Sequence, residues 1–310
     1  GHRTAVNDLA ERTDGSSIAT GEATGAIHRS SIPAGTLAGN PWLTLEGEKI
    51  RHLLFSPEGT WLIAGTYSGL VVIWEWSTGL KMGEFDRESP IVAMACLPAE
   101  SSWYLAVATQ QELVIFQQQD EAWIAAGKWK KDHIKATAMA LNQRQLAVVT
   151  RDSLWLLDSS TPNRLVMNTA FALPATGQSV AVEPQSGEVA VGLANGKVVQ
   201  FAPQGNTWVP RINTIHNPNS PVSGLAYGAA SAGKTRLLAS GSFDQMVALS
   251  AADDLLYATA SREDKMQLKR HGSWVHRVAF CPPYLVSVSQ DATVRIWPQS
   301  ADLIAQLLTP

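Results

Sequence analysis

The sequence predicts an all-β architecture built from a repeated unit, and three observations predict it. A pattern recurs at steps of 41 to 53 residues along the whole chain. Within each recurrence, short Val-, Ile- and Leu-rich runs alternate with polar residues. Gly, Ser, Asn, Asp and Pro separate those runs, and no 3.6-residue period intervenes.

Taken in order, the units begin near residues 1, 46, 86, 132, 175, 216 and 271, and their first apolar anchors fall near Val6, Ile50, Ile91, Thr137, Ser179, Val222 and Val275. The first unit opens at Gly1-His2. The second reads Ile50, Phe55-Ser-Pro-Glu-Gly59, Leu62-Ile-Ala-Gly-Thr66 and Val71-Val-Ile-Trp74. Units three, four and five keep mainly the apolar spacing. The sixth carries Ser240-Gly-Ser-Phe-Asp244. The seventh is the clearest: His271-Gly-Ser-Trp-Val275, Val278-Ala-Phe280, Leu285-Val-Ser-Val-Ser289, then Asp291-Ala-Thr-Val-Arg-Ile-Trp297.

These motifs resemble the WD-repeat (WD40) family, whose units begin near Gly-His, end near Trp-Asp, and carry Phe-Ser-Pro-Asp-Gly and Ser-Gly-Ser-x-Asp turns between. The resemblance implies a seven-bladed β-propeller of four-stranded antiparallel blades, with one domain spanning residues 1–310. In that family the sequence repeat is offset from the blade. The first blade is therefore expected to take its outer strand from Leu303-Ile-Ala-Gln-Leu-Leu308, closing the ring by pairing the N- and C-terminal segments.

The resemblance also implies a structural tetrad, complete in the seventh unit alone: His271, Ser287, Asp291 and Trp297. The imidazole would link the carboxylate to the serine hydroxyl, which accepts from the indole N–H. Elsewhere members are replaced: Thr24 and Ser68 stand where Asp291 stands, Ser30 and Ser250 where Trp297 stands, and Asn195 and Phe201 substitute in the fifth unit. Those blades are expected to rest on apolar packing.

Composition excludes several function classes. Lys and Arg number 24 against 27 Asp and Glu, and no basic run exceeds Lys130-Lys131, so the chain lacks the cationic footprint that nucleic acid requires. The longest apolar stretches, such as Ile91 to Leu97, fall far short of a membrane span. Cys96 and Cys281 form no metal or disulfide framework and read as small buried thiols of a cytoplasmic protein. The start at Gly-His without Met is expected of one domain from a longer, bacterial polypeptide.

Two motifs invite catalytic readings. A serine, a histidine and an aspartate could form a hydrolytic triad, but here the hydroxyl is expected to face a Trp inside a blade. Gly228-Ala-Ala-Ser-Ala-Gly233-Lys-Thr235 matches G-x-x-x-x-G-K-[ST], a loop that cradles phosphate at a helix start. The segment Arg236-Leu-Leu-Ala-Ser240 directly after it reads as a strand, so a hairpin loop is expected. His271 and His276 point to opposite faces of a strand segment and cannot share a metal. No cofactor and no metal are expected, and the chain reads as non-catalytic.

By resemblance, partners sit where the first strand of each unit begins and where the turn carrying Asp291 lies. There the sequence supplies Lys49 and Arg51, Trp274 and His276, with Tyr67, Arg151, Phe243 and Gln290 preceding the turn position. Trp, Tyr, Phe and Arg combine contact area with a polar handle. The expected function is a protein-interaction or sensor module recognising a protein or peptide with some negative charge, the alternatives being a stand-alone scaffold subunit, a hydrolase, or a nucleotide-binding protein using residues 228–235.

Overall fold

Each Gly-, Asn- or Asp-containing turn folds the chain back on itself, so consecutive apolar runs become antiparallel neighbours. The computed structural model describes residues 2–32, 40–100, 102–120, 122–129, 134–142, 144–229, 236–252 and 266–298. The described strands form seven sheets arranged as a ring.

Blade 1 holds β1 (Val6–Glu11), β2 (Ser17–Glu22), β3 (Ala26–Ser31) and β4 (Leu43–Thr44), and blade 2 holds β5 (Ile50–Phe55), β6 (Trp61–Thr66), β7 (Leu70–Glu75) and β8 (Lys81–Asp86). Blade 3 comprises β9 (Ala93–Pro98), β10 (Trp103–Ala108), β11 (Leu113–Gln119) and β12 (Ala122–Trp129). Blade 4 comprises β13 (Ala136–Asn142), β14 (Gln145–Thr150), β15 (Ser153–Asp158) and β16 (Val166–Ala172). Blade 5 contains β17 (Gly177–Val182), β18 (Val189–Leu193), β19 (Lys197–Gln204) and β20 (Thr207–Thr214). Blade 6 contains β21 (Val222–Ala229), β22 (Arg236–Ser242), β23 (Met246–Ala251) and β24 (Met266–Lys269). Blade 7 shows three strands among the described residues: β25 (Val275–Cys281), β26 (Tyr284–Ser289) and β27 (Val294–Pro298).

The first strand of every blade lies innermost, against the first strands of its neighbours, and β1 packs on β25 to complete the circle. Chain order and strand order coincide within each blade, which corrects one expectation. Blade 1 takes its outer strand from its own Leu43–Thr44, hydrogen-bonded to β3, and not from the chain's far end. The blade whose fourth strand is missing among the described residues is the seventh. Leu303–Leu308 lie outside those residues.

One local device recurs. The pairing of first and second strands slips by one residue between Val6 and Asp8, Ile50 and His52, Ala136 and Ala138, Gly177 and Ser179, Val222 and Gly224, and Val275 and Arg277. Such a bulge frees one residue from the ladder and re-aims its side chain. Asn7 uses that freedom to donate to the Ile50 carbonyl of the next blade at 2.8 Å, and Ser223 donates likewise to Val275. The repeat anchors in blades 4 and 5 are therefore Ala136 and Gly177. The expected anchor Thr137 is the bulged residue itself, and Ser179 lies just past the bulge.

Opposite the bulges of blades 1, 2, 5 and 6 stands a glycine, Gly21, Gly65, Gly192 and Gly241, whose absence of side chain the ring requires. A Cβ on Gly21 would come within 2.4 Å of Ile50, one on Gly65 within 2.6 Å of Ile91, and one on Gly241 within 2.6 Å of Val275. The next blade's anchor occupies the space a methyl would need, so adjacent sheets close tightly at the inner end. Between sheets the core is apolar. Trp155, Leu157 and Leu146 of blade 4 meet Leu97, Leu113 and Ile115 of blade 3, and comparable layers lie between the other neighbours. Around the axis, Leu9, Glu11, His52, Met94, Ala140, Leu225 and Arg277 line a cavity of about 610 Å³.

Candidate functional site

The six bulges and the second-to-third-strand turns share one end of the ring, and there the predicted residues divide into two groups. In the first, the Phe243 ring, from the turn after β22, stacks on Trp274, which precedes β25, at 4.4 Å with 3° between planes. His276, the bulged residue of β25, presents its ring edge-on to Phe243 at 6.2 Å, and its Nε2 lies 2.8 Å from the Gln290 amide oxygen. Trp274 nevertheless remains 47% exposed.

The second group belongs to blade 2. The Arg51 guanidinium, on the bulge of β5, lies over the Tyr67 ring at 4.9 Å, Tyr67 is 46% exposed, and the Tyr67 N–H donates to the Lys49 carbonyl at 3.1 Å. Burial lowers the Arg51 guanidinium from its ordinary value. Arg151 sits in the turn of blade 4 and joins neither group; its carbonyl accepts from Gly177.

Blade 1, between blades 7 and 2, places at the channel wall a carboxylate not singled out in the sequence. Asp8, itself buried, accepts from the Leu53 N–H at 2.7 Å and lies 3.4 Å from Arg277 Nε and 3.8 Å from His52 Nδ1. Burial pushes His52 down to about 4 against the pull of Asp8. The sequence signal was the alternation in β1, which places Asp8 inward among apolar neighbours, an uncommon place for a carboxylate.

The tetrad residues of blade 7 lie in sequence within hydrogen-bond reach. His271 Nδ1 is 3.2 Å from Asp291 Oδ2, His271 Nε2 is 2.7 Å from Ser287 Oγ, and the Trp297 indole donates to Ser287 Oγ at 2.9 Å. These contacts fix the protons. Since the indole can only donate, the serine O–H must donate to Nε2, and the imidazole N–H at Nδ1 donates to the carboxylate. Burial lowers the His271 pKa despite Asp291. Burial alone would raise Asp291, but the Thr293 hydroxyl and the Gly272 and Thr293 N–H groups hold it at about 2. Ser287 is fully buried with its oxygen engaged on both sides, so this set has no opening for a scissile bond and does not present a hydrolytic nucleophile.

Two further blades carry polar closures that the replacements had hidden, correcting the expectation of apolar packing alone. In blade 6, His216 Nδ1 lies 3.1 Å from both Asp244 oxygens and Nε2 lies 2.8 Å from Ser240 Oγ. In blade 1, His2 Nδ1 and His28 Nε2 meet the same Glu22 oxygen at 2.8 and 2.9 Å, and His2 Nε2 meets Thr20 at 3.1 Å. Glu22, at the end of β2, takes over the acceptor role that Thr24 cannot fill.

His2, Glu22 and His28 bring their ligand atoms within 4.8 Å of one another, the composition of a zinc site. Ligands held at 2.0–2.1 Å around a tetrahedral ion stand about 3.3 Å apart, however. The two separations to Glu22, at 2.8 and 2.9 Å, are shorter, and with Thr4, Thr24 and the Arg3 N–H also on the carboxylate they describe a hydrogen-bond cluster, in which His28 Nδ1 is left without a partner.

The phosphate-loop motif runs from the end of β21 towards Arg236. Residues 230–235, Lys234 and Thr235 among them, lie outside the described residues, but Ala229 pairs with Arg236 across an antiparallel ladder. The motif is therefore a hairpin connection, and the helix start that would aim N–H groups at a phosphate is replaced by a strand. Cys96 and Cys281 are buried and free; burial raises both thiols, with Glu58 adding to it at Cys96 and Glu11 at Cys281.

The family model described as WD domain, G-beta repeat matches residues 39–75 and 262–298. Each match runs from the outer-strand region of one blade through three strands of the next, which is the repeat-to-blade offset expected from the sequence. No curated protein matches the chain. Two matched repeats set in register within a ring of seven antiparallel blades support a WD-repeat β-propeller.

Proposed function

We propose that this propeller is a non-catalytic recognition module that binds a protein or peptide at the end of the ring bearing Trp274. WD-repeat propellers commonly serve as protein-interaction or scaffold modules. The observation that carries the reading is the Phe243–Trp274 stack. One large aromatic face is held rigidly by a parallel neighbour and left half exposed, so little side-chain entropy remains to be lost on binding. Lys49 and Arg51, reached across blade 1, give the same end positive charge and favour a segment with acidic residues. The ring is read as one domain over residues 1–310, and its buried free thiols suit a reducing, cytoplasmic setting.

The test is capture of partners from lysate by the Trp274→Ala, Arg51→Glu double variant. Truncating an aromatic anchor typically costs about 2 kcal/mol, roughly thirtyfold in affinity. Loss of capture with an unchanged melting temperature is expected. The control is Leu80→Ala with Lys81→Glu, both exposed on the outer edge of blade 2. If that control pair abolishes capture and the Trp274 pair does not, the partner uses the propeller's side.

A further inference from the structure

Three tryptophans take no part in the repeat. Trp61 opens β6, Trp103 opens β10 and Trp123 lies at the start of β12, whereas the repeat's own tryptophans, Trp74 and Trp297, lie on third strands. The three gather at the end of the ring opposite Trp274, where the first-to-second-strand hairpins of blades 2 and 3 meet the β11–β12 hairpin. Their ring centroids stand 5.3 to 6.1 Å apart with planes inclined by 44° to 72°. Trp123 is fixed from behind by Gly83 of β8, where a Cβ would come within 2.7 Å of the indole. All three remain partly exposed.

Together they wall a cleft of about 620 Å³. Pro57 and Pro98 add apolar surface, Gln117 and Gln118 add amides, and Glu58 and Glu100, both exposed, add two carboxylates, with no Lys or Arg among the described lining residues. Arg12, which reaches the adjacent Gly59 carbonyl at 3.0 Å, is already paired with Asp14 at 3.0 Å. The cleft thus combines aromatic surface, unneutralised negative charge and amide acceptors, preformed by packing between blades.

We propose that this cleft binds a basic peptide segment through an arginine side chain. A guanidinium is planar and weakly hydrated, so it can lie on an indole while its N–H groups reach carboxylate and amide oxygens. Lysine offers only a strongly hydrated point charge there. A neutral sugar would stack on the indoles but leave both carboxylates without a cation, and an acidic segment would be repelled.

The full chain would be tested by fluorescence polarisation against labelled degenerate heptapeptide pools whose central residue is fixed as arginine, citrulline or glutamate. Citrulline keeps the shape of arginine and removes its charge. The arginine pool should bind at least about fivefold more tightly than the citrulline pool, as one cation–π contact with a partial ion pair implies, and the glutamate pool weakest. Glu58→Gln with Glu100→Gln, both surface changes, should erase the arginine preference, and Trp103→Ala should lower binding of both pools. The Trp274→Ala, Arg51→Glu variant should bind all pools as wild type does, because that site lies at the other end of the ring. Equal binding of arginine and citrulline, a preference for glutamate, or a preference that survives the double glutamine change would overturn the proposal. So would quenching of tryptophan fluorescence by cellohexaose in place of the arginine pool.

Discussion

Asp244→Ala should destabilise the propeller more than Asp291→Ala, although only the second residue belongs to a complete tetrad. The Asp244 carboxylate is 1% exposed and accepts from His216 Nδ1, from the Asn217 N–H at 2.9 Å and from the Met246 N–H at 3.1 Å. Burial works to raise its pKa, yet these donors outweigh it and hold the group below its ordinary value. Alanine leaves an imidazole and two backbone N–H groups without an acceptor where water does not reach. Breaking a buried, hydrogen-bonded pair from one side typically costs about 3–5 kcal/mol. Asp291 has as many partners but is 14% exposed, so water can replace part of what is lost, and about 1–3 kcal/mol is expected. A lowering from 3.8 to about 2 corresponds to roughly 2 kcal/mol before screening, in keeping with that range. Its sign is that of a depressed carboxyl: the contribution is present above pH 3.8 and is lost as pH falls through about 2. Urea unfolding at neutral pH, read as midpoint and slope, measures both variants. Were Asp291→Ala the more damaging, or Asp244→Ala within about 1 kcal/mol of wild type, burial would not be governing the cost of these carboxylates.

Glu11 and His52, both on the channel wall, should impose opposing pH trends: burial raises Glu11 to about 7 despite Cys281, and lowers His52 to about 4. Stability from Glu11 is full below pH 4.5 and lost as pH rises through 7, while that from His52 is full above 6.5 and lost as pH falls through 4. Thermal melts from pH 4.5 to 6.5 should show stability falling with pH in His52→Gln and rising in Glu11→Gln; identical profiles would mean that neither group titrates as placed. Gly21→Val should cost about 1–3 kcal/mol by driving a side chain into Ile50, measured by urea unfolding, and a neutral result would show that the blades can separate at no cost.

The number of units, the innermost position of each first strand and the tetrad residues of blade 7 could be read in the sequence because they depend on local spacing. His216 was hidden because Asn217-Pro-Asn-Ser-Pro221 puts it six residues before Val222, whereas His271 stands four before Val275. Glu22 was hidden for a related reason: it stands two residues ahead of the turn position and reaches back to His2 through tertiary geometry. Trp274 and Phe243 could each be picked out as exposed aromatics, but their stacking joins two blades and leaves no periodic trace. The same holds for Trp61, Trp103 and Trp123, which come together only when two blades meet. The origin of the first blade's outer strand was not legible because the offset of the repeat says that a blade borrows a strand without saying which blade.

Among the described residues, blades 4 and 5 show no histidine closure, although blade 4 keeps Asp152 at the turn position; Val148 and Val191 stand where Ser287 stands, Leu157 and Phe201 where Trp297 stands, and all four are buried in apolar layers. This is the economical solution, since an apolar interior outlasts a partly satisfied network. Blades 1 and 6 keep a histidine closure without the tryptophan. Blade 6 has His216, Ser240 and Asp244 but Ser250 at the tryptophan position, and the Ser250 hydroxyl is buried without a hydrogen-bond partner, as is that of Ser30 in blade 1. Ser250→Ala removes that hydroxyl while filling nearly the same volume. An unpaired buried hydroxyl typically costs about 1–3 kcal/mol, so the variant should match or exceed wild-type stability, by up to about 1 kcal/mol once the small loss of packing is counted. Urea unfolding beside Ser287→Ala supplies the contrast: Ser287 accepts from Trp297 and donates to His271, and the same change there should destabilise by about 1–3 kcal/mol. If Ser250→Ala loses as much as Ser287→Ala, the sixth-blade hydroxyl is engaged, and polar closure in that blade extends beyond its three members.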